Sequence, residues 1–221
     1  GAKGAAEELL LHAGIIRGRD HRAQVPAGGA DTGCDRIRLP PMKGIVFTEF
    51  IEMVESRWSP AMADQIIQAA RLPSGGSYTA VGTYDHGEIW SLLAELSKAI
   101  GISVPELMRS FGEHLLGRFA ATLPALFEAP KSSFEFLEGL DRIIHREVRK
   151  LYPDAEMPRF TVLEHAERRM VLLYESTRHF ADLAEGLIRG CAKHYAEQLG
   201  IVRESLPCES GSRVRFVLER Q

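Results

Sequence analysis

The stretch MVLLYESTRHFADLAEGLI, residues 170–188, decides the fold of this chain. Its first four residues are apolar, which is typical of a short buried strand. Its second half repeats apolar residues at helical spacing, at Phe180, Leu183 and Leu187, and begins a long helix predicted over 179–199. A strand and a helix are therefore joined by a short polar stretch.

That polar stretch carries Tyr174, Ser176 and Arg178 at every second position. In an extended or turn conformation, side chains at this spacing point to the same side. Two hydroxyl groups and one permanent cation then face one place, where they can donate hydrogen bonds to an anion. This chemistry suits a pair of carboxylates, such as the propionates of haem.

An earlier histidine, His145, lies at the edge of an apolar stripe that predicts a helix over 132–151. Neutral imidazole is a common axial ligand of haem iron, and its second nitrogen can be held by a hydrogen bond. Alone, His145 would be typical of a histidine at a helix edge. Together with the polar stretch it predicts a haem pocket.

Composition and charge exclude several classes of protein. With 221 residues, 45% of them hydrophobic, the chain is long enough for one domain with a large core. The net charge of −3, the pI near 6.3 and the spread of Lys and Arg argue against nucleic-acid binding. No apolar run approaches the roughly 18 residues of a membrane span, and no signal peptide precedes the domain, so we expect a cytoplasmic protein.

The cysteines and the remaining histidines do not suggest a metal site. Cys34, Cys191 and Cys208 are far apart without CxxC spacing, which predicts reduced thiols, with Cys191 on the apolar face of the last helix. Several further histidines lack metal-ligand spacing and are expected at the surface or partly buried. They are His86, His114, His165, His179 and His194.

Residues 1–41 differ from the rest in being rich in glycine and poor in periodicity, and they are expected to form a flexible extension that need not be native. The dense apolar pattern begins at Met42, so the domain is expected to span 42–221. Helices are predicted through 47–54, from Pro60 to a turn at 74–76, and over 88–100, 103–122 and 132–151. Residues 78–84 predict a short strand or a loop.

Strands are predicted at 160–163 and 170–174, with a closing hairpin formed by 201–206 and 214–218. This order predicts an α+β fold. A helical N-terminal subdomain would be followed by a C-terminal subdomain with an antiparallel sheet and helices, and haem would lie between them.

From residue 42 to residue 221 the chain resembles the H-NOX family, the haem nitric oxide/oxygen binding domains of bacteria that are also found in soluble guanylate cyclase. The resemblance rests on motifs spread over this whole region. They are the Met42-Lys43-Gly44 opening, Phe111-Gly112-Glu113, Leu140-Asp141 with His145, Tyr152-Pro153, Pro158-Arg159-Phe160, and Tyr174-x-Ser176-x-Arg178.

The resemblance implies a role for each matching residue. His145 matches the proximal iron ligand of haem b (iron protoporphyrin IX), and Pro158 matches the proline that presses on the porphyrin. Tyr174, Ser176 and Arg178 match the clamp that holds the propionates.

On the opposite, distal face of the haem, oxygen-binding members carry a tyrosine at the position of Leu183. Here Leu183 and Leu187 would present an apolar wall, with Val46, Phe50 and Phe119 as neighbours. Bound dioxygen is retained only with a hydrogen-bond donor nearby, whereas nitric oxide binds tightly without one. The pocket should therefore favour nitric oxide and carbon monoxide and exclude oxygen.

The resemblance also implies a signalling mechanism and no enzymatic activity. Nitric oxide weakens the bond between iron and His145, and the freed helix biases a two-state arrangement of the subdomains. A separate partner would receive the signal, namely a histidine kinase or a diguanylate cyclase or phosphodiesterase.

Four alternatives stay open at this point. Tyr174 and Arg178 could form a buried network that supports the sheet, with Glu175 or Asp182 as partners. Asp141 and His145 fall at i, i+4 and could serve a small hydrolase. The pocket could belong to an interaction module without haem. A slip of one residue would place Asp182 or Ala184 on the distal wall in place of Leu183.

Overall fold

The computed structural model describes residues 42–141 and 157–221. His145, the Tyr152-Pro153 pair and the 1–41 extension lie outside the described residues. The described part contains seven helices and two antiparallel sheets, so the expected α+β class is confirmed. Within the described residues, no helix is long and apolar enough to cross a bilayer.

The N-terminal part is built from four helices around one core, as predicted. Their bounds are α1 Gly44–Arg57, α2 Pro60–Ala70, α3 Gly87–Ile100 and α4 Val104–Thr122. Ser59 caps α2 by accepting a hydrogen bond from the Met62 N–H at 3.1 Å, and Ser103 caps α4 by accepting one from the Glu106 N–H at 3.4 Å. Gly101 ends α3 in the left-handed conformation, at φ 74°.

Two short strands, β1 Met42–Lys43 and β2 Thr83–Tyr84, pair antiparallel beside these helices. The strand or loop predicted over 78–84 is therefore mainly a loop. Tyr78 and Tyr84 hold this loop on the core, because Tyr78 stacks on Phe47 at 4.6 Å and Tyr84 meets the same ring edge-on at 5.6 Å.

Two short helices follow, α5 Pro124–Glu128 and α6 Ser133–Gly139. The helix α5 was not predicted, since Pro124 was interpreted as a stop although it occupies the first turn of a new helix. Ser132 caps α6 by accepting from the Glu135 N–H at 3.3 Å, as its position predicts. The rest of the helix predicted over 132–151 lies mostly outside the described residues.

The C-terminal sheet has four antiparallel strands in the order β3-β4-β6-β5. All four were predicted. Three of them, β3, β4 and β6, extend one or two residues beyond each predicted end, whereas β5 begins two residues earlier than predicted and ends one residue earlier. Their bounds are β3 Arg159–His165, β4 Arg169–Ser176, β5 Leu199–Ser205 and β6 Ser212–Arg220. One face of this sheet carries Met170, Leu172 and Tyr174 into a second core.

The last helix, α7 Ala181–His194, packs on α4 and joins the two cores. It is shorter than the predicted 179–199. Ala196 adopts a left-handed conformation at φ 54°, which ends the helical turn, and Leu199 already begins β5. Cys191 is buried on the apolar face of α7, where the sequence predicted it.

Candidate haem-binding site

Tyr174, Ser176 and Arg178 come together at the end of β4. Tyr174 is only 2% exposed and packs against Phe160 of β3, with ring centroids 5.1 Å apart. Ser176 is the last residue of the strand, and its Oγ accepts a hydrogen bond from the Arg178 N–H at 3.1 Å. Arg178 is 6% exposed. The predicted convergence of these three side chains is therefore supported by the geometry.

The protonation states in this cluster favour an anion. Burial is the largest influence on Tyr174 and raises its pKa to about 12, although a hydrogen bond with Ser176 and the charge of Arg178 act in the opposite direction. Tyr174 is therefore a neutral hydroxyl donor at physiological pH, and Arg178 is a buried cation. A hydroxyl pair and a guanidinium form the donor set that carboxylates prefer.

Helix α3 packs against the segment that follows this cluster. His86 immediately precedes α3, and Trp90, one turn later, stacks on Phe180 with ring centroids 5.5 Å apart and planes at 28°. Burial is the main cause that lowers the pKa of His86; the charge of Asp85 acts in the opposite direction, and the charges of Arg178 and His179 lower the pKa further. The His86 Nδ1 is buried and has no hydrogen-bond partner among the described residues.

These residues fit the carboxylate edge of a haem. The cluster offers two hydroxyl groups and one guanidinium, and His86 has a buried imidazole nitrogen nearby in the fold. The nearest carboxylate to that nitrogen belongs to Asp85, whose side chain is 64% exposed. A group with two carboxylates would accept hydrogen bonds from these hydroxyl and guanidinium donors.

The residues predicted for the distal wall lie where the two cores meet. Val46, Leu183 and Leu187 are half-buried and pack against the N-terminal core, and Phe50 is fully buried within it. Phe119 is half-buried and borders both cores, as does Leu187. Their shared location supports the expectation that they line one wall.

The neighbours of Leu183 support the predicted register of α7. Asp182 Oδ1 accepts hydrogen bonds from Arg109 of α4 and Arg203 of β5, both at 2.7 Å. Ala184 is buried in the C-terminal core. Since both flanking residues are engaged elsewhere, Leu183 is the residue of this turn that packs against the N-terminal core.

Close contact between helix backbones fixes the position of this wall. A Cβ added at Gly112 of α4 would lie 2.5 Å from the Leu183 carbonyl oxygen, and one added at Gly186 of α7 would lie 2.1 Å from the Arg109 carbonyl oxygen. No side chain larger than hydrogen fits at either position without separating the helices. Leu183 and Leu187 are therefore held at a fixed depth against α4.

The sheet-supporting network considered from the sequence has different members. Glu175 pairs with Arg213 at 3.2 Å, and Asp182 belongs to the pairs with Arg109 and Arg203. Neither acid is the partner of Arg178 that this alternative required. Arg203 also contacts Glu185 at 3.2 Å, which ties β5 to α7.

The proximal side is described only in part. Pro158 is half-buried and precedes β3. Asp141 accepts a hydrogen bond from the Phe160 N–H at 3.4 Å, so the chain leading to His145 is tied to the first strand of the sheet. His145 itself lies outside the described residues.

Comparison with known proteins identifies the class. The family model described as Haem-NO-binding matches residues 43–203, and this chain therefore belongs to the H-NOX family. The chain is similar to an H-NOX protein from K. algicida, solved in the Fe(II) unliganded state, with 35% identity and a TM-score of 0.75. That match covers 81% of this chain and 97% of the K. algicida chain.

Two other solved structures extend the comparison. An H-NOX from Shewanella woodyi, bound to IWP-051 in the Fe(II)CO state, is 38% identical with a TM-score of 0.70, and the match covers 81% of this chain and 95% of that one. An H-NOX from S. oneidensis in the Fe(II)NO state shares the fold at 22% identity and a TM-score of 0.73, over 81% and 99% of the two chains. No curated protein matches significantly.

Membership of this family settles the broad function. H-NOX domains bind haem and are gas-sensor domains, not enzymes. The hydrolase interpretation of Asp141 and His145 is therefore wrong.

Proposed function

We propose that residues 42–221 form a nitric oxide sensor that holds haem b between the helical part and the sheet. Tyr174, Ser176 and Arg178 would bind the haem carboxylates, and His145 would bind the iron from the proximal side. Bound haem would supply the iron at which a diatomic gas binds. The S. woodyi relative, solved with carbon monoxide on Fe(II), supports a gas ligand of this kind.

The proposed preference for nitric oxide over oxygen is supported by the chemistry of the predicted distal wall. Val46, Phe50, Phe119, Leu183 and Leu187 meet at the N-terminal core, and all five side chains are hydrocarbon. None can donate the hydrogen bond that retains dioxygen, whereas nitric oxide and carbon monoxide need no such donor. We infer that the pocket binds these two gases and excludes oxygen.

The proposed signal starts at His145. Its release from the iron would free the segment that follows Asp141 and relieve the contact between Pro158 and the porphyrin. Because α7 and the ion pairs of Asp182 join the two parts of the molecule, their relative arrangement would respond as a two-state element. A cytoplasmic histidine kinase, or a diguanylate cyclase or phosphodiesterase, would bind one of the two arrangements.

Replacement of the proximal ligand tests this proposal. We expect His145→Gly to lose haem or its five-coordinate spectrum, and we expect added imidazole to restore both, because a free imidazole can occupy the space of the missing side chain. The measurement is the Soret absorbance of the purified reduced protein with and without imidazole. His165→Gln is the matched control, since His165 lies on β3 next to Glu138, at 3.3 Å.

Retention of haem with an unchanged spectrum in His145→Gly would remove His145 from the ligand role. Absence of haem from the unsubstituted protein, even after addition of haem, would favour an interaction module that works without a cofactor.

A further inference from the structure

Two helices of the N-terminal part are joined by a buried ion pair. Glu49 of α1 is only 7% exposed, and its Oε2 accepts a hydrogen bond from Arg118 Nε of α4 at 2.8 Å. Arg118 Nη2 also contacts Glu52 at 3.1 Å, but the Glu52 side chain is 50% exposed. The contact with Glu49 is therefore the one that joins α1 to α4 away from solvent.

Arg118 is the cation that balances the charge of Glu49. His114 Nε2 lies 3.8 Å from Glu49 Oε2, which is too far for a hydrogen bond. Burial is the main cause that lowers the pKa of His114; Glu49 and Glu52 act in the opposite direction, and Arg57 and Arg118 lower the pKa further. His114 is therefore neutral at physiological pH. The hydrogen bond with Glu49 is the largest influence on Arg118 and raises its pKa.

A second contact shows how the two helices run. Arg57, the last residue of α1, donates a hydrogen bond to Ser110 in the first half of α4. Glu49, two turns earlier on α1, contacts Arg118 in the last turns of α4. Since earlier residues of α1 contact later residues of α4, the two helices are antiparallel.

Three residues of the predicted distal wall lie next to the ion pair. On α1, Val46 lies one turn before Glu49, and Phe50 directly follows it. On α4, Phe119 directly follows the arginine, and in an antiparallel pair it lies at the same end as Val46. Phe50 also meets Phe111 of α4 edge-on, with ring centroids 5.3 Å apart. A change in the spacing of α1 and α4 would therefore move the wall residues of one helix relative to the other.

We propose that Glu49 and Arg118 are positioning residues of the gas site. Their ion pair holds α1 against α4 and so keeps Val46 and Phe50 close to the distal face of the haem. This inference rests on the proposed function and adds to it a control on how readily a gas enters. Helix α7 is fixed to α4 by close backbone contact, whereas the position of α1 in the wall depends on a pair of side chains.

The test is a double-substitution cycle with carbon monoxide as the probe. Glu49→Leu replaces the carboxylate by an apolar side chain that can be buried, and Arg118→Met removes the cation but keeps an unbranched side chain. The association rate of carbon monoxide with the reduced protein is measured by flash photolysis for both single variants and the double variant. Hydrogen exchange of the α1 amides, measured without gas, is the second readout. Glu52→Gln is the matched control, because it changes the exposed partner of the same arginine.

We expect each single substitution to speed carbon monoxide association about fivefold, because α1 can then move away from α4. The double variant should be within about twofold of the single variants, since all three lack the same contact. The amides of residues 46–50 should exchange faster in these three variants. Glu52→Gln should stay within about twofold of the unsubstituted rate.

Faster exchange in α1 with an unchanged carbon monoxide rate would assign the ion pair a purely structural role and overturn the inference. A double variant that shows the product of the two single effects would also overturn it, because the two residues would then act separately. Glu49→Leu leaves no buried charge unpaired, so its rate decides the question alone if Arg118→Met does not fold. These results leave the proposed function intact, whereas an unsubstituted protein that binds no carbon monoxide would contradict both.

Discussion

The two sides of the candidate haem site differ in what defines them. The carboxylate side, proposed at Tyr174, Ser176 and Arg178, is defined by chemical groups, namely hydroxyl and guanidinium. The distal side, formed by Leu183 and Leu187, is defined by where a helix lies. Leucine is common in protein cores, so residue type alone does not indicate a role for Leu183 or Leu187. The role proposed for them depends on the backbone contact that positions them against α4.

One continuous segment of the chain contributes residues to both sides of the candidate site. Residues 174–187 leave the sheet as a strand, turn through the polar cluster and enter α7. The polar side depends on individual donors, each of which can be removed alone. The apolar side depends on the fit of α7 against α4, so a change in the fit should affect the whole molecule. The predictions below separate these two kinds of dependence.

The largest effect is expected at the helix contact. Gly186→Ala places a Cβ 2.1 Å from the Arg109 carbonyl oxygen, a backbone atom that cannot rotate away. The helices must separate, and we expect the free energy of unfolding to fall by about 3 kcal/mol. Urea denaturation followed by circular dichroism measures this change.

Gly117→Ala is the matched control for that substitution. Gly117 lies on α4 with nothing within 4 Å of a Cβ, so alanine should stabilise the helix by about 0.5–1 kcal/mol. Equal stability of Gly186→Ala and the unsubstituted protein would show that the close contact does not position α7.

The next effect is expected on the carboxylate side. Arg178→Leu removes the buried cation of the clamp, and a charge-assisted hydrogen bond of about 2 kcal/mol corresponds to about thirtyfold faster haem dissociation. The rate is measured by transfer of haem to apomyoglobin. The preference between nitric oxide and oxygen should stay unchanged, because Arg178 does not belong to the distal wall. A change in that preference would show that the two sides are not independent.

The smallest effect is expected on the distal wall itself. Leu183→Tyr adds one hydroxyl donor, and a single neutral hydrogen bond of about 1 kcal/mol should raise oxygen affinity by roughly tenfold or less. Leu183→Phe is the matched control, since it adds the ring without the hydroxyl. Oxygen titration of the reduced proteins measures the difference. Equal oxygen affinity in the two variants would place position 183 away from the bound gas.

The same contrast explains what the sequence could predict. The clamp was predicted from residue types, because Tyr174, Ser176 and Arg178 are local and their chemistry is specific. The sheet strands were identified because their apolar alternation is set by the core, and only their ends differed, by one or two residues. The distal role of Leu183 was predicted from the family resemblance alone, because a leucine in an apolar helix stripe gives no local sign of such a role.

The features that sequence reasoning missed depend on contacts between distant residues. His86 was expected at the surface or partly buried, and it is partly buried. The close contact of Gly112 with Gly186, and the ion pairs of Asp182 with Arg109 and Arg203, join separate elements and leave no local pattern. The helix α7 ends early because Ala196 adopts a left-handed conformation, and alanine rarely adopts this conformation, so the sequence did not indicate the end.

The most direct test of the account is the absorption spectrum of the purified, reduced protein, recorded without gas, then in air, then with nitric oxide. We predict a five-coordinate ferrous haem spectrum that air does not change within the time of the measurement and that nitric oxide shifts, with loss of the His145 bond. A stable oxygen complex in air would contradict the role assigned to Leu183 and Leu187. A protein without haem would contradict the central claim.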